Sequence, residues 1–72
     1  MKYRNRLRVL RAAARGGKGL SQLDTALKAK IKHYRYWRIE NGYVIPDEAE
    51  RARLAKVLGV PEDTLEPEAM AS

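Results

Sequence analysis

The residues 33–42, "HYRYWRIENG", hold much of the side-chain chemistry of this 72-residue chain. They combine His33, Tyr34, Tyr36 and Trp37 with Arg35 and Arg38. His33 is the only histidine. It has no neighbouring ligand set for a metal, and no serine, cysteine or carboxylate at a triad spacing. Asp47, Glu48 and Glu50 open a helix, where carboxylates complement the macrodipole, and do not form an acid/base pair. No catalytic, cofactor-binding or metal-binding residue is expected, and the chain is not read as an enzyme. What the run can do is recognise. Guanidinium and imidazole donors interleaved with rings suit a surface that grips a polyanion, or a hot spot for an acidic protein partner.

The charge distribution points the same way. The net charge is +6, but residues 1–42 carry 12 Lys/Arg against Asp24 and Glu40, a net of +10, and residues 43–72 carry 3 Lys/Arg against 7 acids, a net of −4. A basic front half suits nucleic acid, and equally describes a solvated basic surface. The chain has no cysteine, which excludes disulfides, thiolate metal sites and a cysteine nucleophile, and fits a cytoplasmic location. No apolar run approaches the ~20 residues of a membrane span. The opening "MKYRNRLRVLRAAAR" has a transit-like, Arg-rich composition, but the same residues form a core helix, and that is the expectation here.

The elements that position the run are helical. Tyr3, Leu7, Leu10 and Ala14 recur as one stripe, beside Arg4, Arg8, Arg11 and Arg15. "RGGKG" at 15–19 breaks it. "SQLDTALKA" at 21–29 restarts a helix with Ser21 as N-cap and Asp24 three residues on, and Leu23, Ala26 and Leu27 as its apolar contacts. "AKIK" at 29–32 connects, with Ile31 inside. The third helix turns Tyr36 and Ile39 inward and His33, Tyr34, Trp37 and Arg38 outward, and Gly42 ends it. "DEAERARLAKVLG" makes a fourth helix from Asp47 with Ala55 and Leu58 inside and Gly59 closing it. "VPEDTLE" reads as a short fifth, with Leu65 packing back.

"RLRVLR", "GLSQ", "RIENG" and "LAKVLGV" together resemble the Cro/C1-type (XRE-like) helix-turn-helix family of phage repressors and bacterial regulators. The resemblance runs from about residue 5 to 66. It implies an all-α, compact five-helix domain of the lambda-repressor type over residues 1–66, with a frayed tail at 67–72 and the third helix in the DNA major groove. Each base pair shows its own donor and acceptor pattern there. By match to the family's positions, His33, Tyr34 and Arg38 face base edges, Arg38 as a bidentate partner of guanine. Gln22 clamps a phosphate at the start of the second helix. Lys32, Arg35, Trp37, Asn41 and Tyr43 complete the expected backbone contacts, with Trp37 lying along the strand or covering core beside the first helix.

The family also pairs Glu40 with an arginine of the first helix. "RLRVLR" makes that Arg11, whereas an ungapped count from "GLSQ" gives Arg15. Arg11 is the expected partner, because the ungapped count would put it where the core wants an aliphatic. About four extra residues then fall in "AAARGGKG", as a longer loop or another helical turn. Thr25, Lys30 and Lys32 depart from the family's buried leucine, turn glycine and Ser/Thr cap. The expected function is a cytoplasmic, nucleoid-associated transcription regulator: a repressor binding double-stranded DNA as a homodimer on a palindromic operator. The dimer contacts are expected around Val44, Ile45 and the fifth helix. Two alternatives stand beside it: an interaction protein acting on the transcription machinery, such as RNA polymerase, and an antitoxin binding a toxin and its own operator.

Overall fold

The computed structural model describes residues 4–66. Tyr3 of the expected stripe and the tail 67–72 lie outside the described residues. Four α-helices follow one another: α1 (Leu7–Ala13), α2 (Gln22–Lys28), α3 (His33–Glu40) and α4 (Glu48–Leu58). The expected fifth helix is a single 3-10 turn, Glu62–Leu65. Pro61 precedes it without an N–H to donate, and so short a segment closes only i→i+3 bonds. Leu65 still packs into the core.

α1 buries Leu7 and half-buries Leu10. The chain then hooks back rather than adding a helical turn. The N–H of Gly19 donates to the Ala14 carbonyl at 2.8 Å, and that of Leu20 to Arg11 at 3.0 Å. Gly19 is required here: its φ is +82°, and a Cβ would sit 3.3 Å from the Ala12 carbonyl oxygen. This hook places Ser21 to start α2, where its hydroxyl accepts from the Asp24 N–H at 3.0 Å.

The apolar contacts expected of α2 are corrected at two positions. Leu23 and Leu27 are 48% and 67% exposed, and the buried residues are Thr25 and Ala26, followed by Ala29. Small side chains on that face let α2 lie close to its neighbours, which turns the leucines outward. Thr25 tolerates burial because its hydroxyl donates to the Ser21 carbonyl at 2.8 Å.

One closure ends three helices. After α2, α3 and α4, paired backbone bonds run 6→1 and 5→2: Ile31 to Ala26 with Lys30 to Leu27, Tyr43 to Arg38 with Gly42 to Ile39, and Val60 to Ala55 with Gly59 to Lys56. The left-handed position belongs to Gly42 and Gly59 in two of them, and to Lys30, at φ 58°, in the first. A side chain there costs about 1 kcal/mol relative to glycine. At the other end, Asp47 and Glu50 cap α4 reciprocally. The Glu50 N–H donates to Asp47 at 2.8 Å, and the Asp47 N–H donates to Glu50 at 2.9 Å.

The core gathers Leu7, Leu20, Ala26, Ala29, Ile31, Tyr36, Ile39, Leu54, Ala55, Leu58 and Leu65. Tyr36 and Ile39 are completely buried, so α3 is anchored along one face and the other faces outward.

Candidate nucleic-acid interface

The outward face of α3 carries His33, Tyr34, Trp37 and Arg38, all exposed. Arg38 lies over the Tyr34 ring, 5.6 Å from its centroid, one helical turn apart. The guanidinium is thus held against a ring instead of sampling solvent freely. Trp37 is 44% exposed and stacks on Tyr43, with centroids 5.8 Å apart and planes at 25°. Its indole thus packs on the loop after α3. Asn41 joins the same corner. Its amide nitrogen donates to the Trp37 carbonyl at 2.9 Å, and its amide oxygen accepts from Arg8 of α1 at 3.3 Å.

Lys32 precedes α3 in extended conformation, exposed, with no side-chain cap bond. Gln22 is half-buried, and its amide donates to Glu40 at 3.2 Å. Arg35 turns away from the others. Its Nε and Nη2 donate to the two oxygens of Glu50 at 2.6 and 2.7 Å, a fork that ties α3 to the start of α4. Its charge therefore braces the helix from the side in the free chain.

The last residue of α3, Glu40, lies on its inner face, with a side chain that has no solvent exposure. Arg11 donates to it at 2.9 Å through Nη2, and directs Nη1 to the Leu20 carbonyl at 2.9 Å. Arg8 approaches to 3.6 Å. Burial alone would raise the Glu40 carboxyl. The hydrogen bonds from Arg11 and Gln22 and the Arg11 charge overcome it and hold the group below its ordinary value. The same bond, from the other side, raises Arg11 against its burial. Burial first, and then the Glu40 charge, push the Tyr36 phenol well above its ordinary value, and its hydroxyl lies beside that pair without a well-formed hydrogen bond. Glu50 is held low chiefly by the Arg35 bond.

Two positioning residues were not legible from patterns alone. The Asn5 amide nitrogen donates to the Ile39 carbonyl at 3.0 Å, with Glu40 at 3.4 Å, while its oxygen accepts from the Leu7 N–H at 3.0 Å. One side chain thus links the start of α1 to the end of α3. An Asn two residues before a helix is the available signal for half of this. Arg53 of α4 donates to the Ala29 carbonyl at 2.8 Å, satisfying the end of α2 across 24 residues of chain, and no local pattern marks it.

Among the described residues no group of three or more His, Cys, Asp or Glu could hold a metal ion, and no helix is long and apolar enough to cross a membrane.

No curated protein and no solved structure matches the chain. One protein-family profile, described as a helix-turn-helix domain, matches residues 3–67. With most of its length inside that match, and with α2, the 29–32 turn and α3 arranged as above, the chain belongs to the helix-turn-helix domain family, in keeping with its Cro/C1-type (XRE-like) motifs.

Proposed function

We propose that the protein is a sequence-specific DNA-binding transcription regulator that inserts α3 into the major groove. The observation that carries this reading is the division of α3 into two faces. Tyr36, Ile39 and Glu40 are buried, while His33, Tyr34, Trp37 and Arg38 stand exposed with no acid among them. A helix so presented fits the groove, and its outward donors are of the types that read base edges. His33, Tyr34 and Arg38 make base contacts, Arg38 to guanine. Gln22, Lys32, Trp37, Asn41 and Tyr43 contact the sugar-phosphate backbone. Arg35 positions α3 through Glu50 in the free chain and reaches phosphate only by leaving that pair.

One such helix reads few base pairs, so the protein acts as a homodimer on a palindrome with half-sites about 34 Å apart. Exposed Ile45 beside half-buried Val44 supports a dimer contact at that loop. The regulator is a cytoplasmic, nucleoid-associated repressor. A second reading rests on Leu23 and Leu27, an exposed apolar pair one turn apart on α2. It suits a protein partner such as RNA polymerase or a toxin.

Selection of duplexes from a random pool, followed by salt titration on the selected and on random duplex, tests the two. A DNA reader prefers its selected site and loses affinity with a slope near −0.9 per phosphate contact. Weak binding with no preference rejects the DNA reading and favours the protein partner.

A further inference from the structure

We infer that the protein carries a second anion-binding site, away from the α3 face, that takes a compact phosphoryl group. Lys28 at the end of α2, Lys30 in the following turn, and Arg53 and Lys56 of α4 surround a depression of about 300 Å³, with Val57 as the apolar part of its wall. None of the outward residues of α3 lines it.

Three observations make this more than a basic surface. First, the four basic side chains come from three separate elements and border one concavity. Arg53 and Lys56, three apart on one helix, share a face. Lys28 and Lys30 meet them from across the α2–α4 contact, where Arg53 Nε is already fixed to the Ala29 carbonyl. Second, no carboxylate lines the depression. Glu50, the acid that senses the Arg53 charge, is gripped by both donors of Arg35 instead. Third, Lys30 occupies a left-handed backbone position, φ 58°, where the other two helix closures use glycine. A residue held in a strained backbone conformation whose side chain lines a basic concavity points to an anionic ligand.

The shape decides the class. A concavity of this size, with one aliphatic side chain, suits a small, multiply charged group gripped from several sides. An acidic helix or extended peptide would need apolar anchors, and Val57 alone does not supply them. Two sources share the chemistry: the polyphosphate of a small molecule, and the phosphodiesters of a duplex.

Sodium tripolyphosphate, titrated calorimetrically into the full chain at fixed ionic strength, is the test. The chain binds it saturably at one site. The double variant Lys30→Gly, Lys56→Gln loses at least about tenfold in affinity as charge-assisted contacts disappear. The glycine relieves the strained backbone, so this variant folds at least as readily at the turn. Arg38→Ala binds tripolyphosphate as the parent does, which separates this site from the proposed base-reading face. Non-saturable heat, or parent-like affinity in the double variant, overturns the inference. Equal binding of an oligo-aspartate of matched charge overturns the phosphoryl assignment. The source follows from the salt dependence of duplex binding: a shallower slope in the double variant assigns the site to DNA phosphates, and an unchanged slope assigns it to a free ligand. The tripolyphosphate result stands or falls whatever the chain does with DNA.

Discussion

Arg11 and Glu40 meet at 2.9 Å, and the remaining terminal nitrogen of Arg11 reaches the Leu20 carbonyl. A single guanidinium thereby fastens α1, the segment leading into α2, and the end of α3. Arg15, the other arginine that spacing nominates, lies exposed on the hook with φ 57°.

Glu40→Ala should therefore cost on the order of 3 kcal/mol, near the low end for breaking a buried pair because Arg11 keeps partial access to water. Arg15→Ala should change stability by no more than about 0.5 kcal/mol. Urea denaturation of both variants checks this, and equal losses would remove Arg11 from its central role.

The two acids that brace α3 should also set its acid tolerance. Glu40 and Glu50 are both held below their ordinary value of 4.5. A depressed folded value means that their stabilisation is complete above about pH 4.5 and is lost as pH falls through the lower folded values. Denaturation midpoints should thus decline below that point, and Glu50→Gln should flatten the decline. Parallel pH profiles for parent and variant would count against the assignment.

At the turn between α2 and α3, Lys30→Gly should stabilise the fold by up to about 1 kcal/mol, since the backbone already has a glycine conformation. Part of that gain is offset by the greater freedom glycine gives the unfolded chain. A rise in thermal midpoint checks it.

Residue order is most informative where structure is local. Ser21, Asp47, Gly42 and Gly59 mark helix ends because capping is local, fixed by a few consecutive residues. The misfit of lysine at position 30 is legible for the same reason. Leu23 and Leu27 mislead because apolar character does not guarantee burial: the close approach of α2 selects Thr25, Ala26 and Ala29 for their size. The Arg35–Glu50 fork and the Arg53–Ala29 bond span 15 and 24 residues. Their partners are chosen by how α4 crosses the other helices, which no spacing encodes. At the proposed interface, the outward set of α3 follows from helical periodicity, while the Trp37–Tyr43 stack depends on how the chain leaves the helix after Gly42.

On duplex DNA, Arg38→Ala should relax base choice at one position, with a loss of about 1–3 kcal/mol on the selected site and little on others. Gln22→Ala should weaken all duplexes alike. Competition binding against a panel of single-base variants distinguishes these patterns. Identical behaviour of the two variants on every duplex would reject the division between base and backbone roles.

The chain has one tryptophan, and the fold leaves it half uncovered beside Tyr43 at the tip of α3. A fluorophore thus sits at the edge of the proposed interface. Selective excitation at the red edge of the absorption band will show a spectral change whenever that corner is desolvated, so occupancy can be followed on the unlabelled protein in real time.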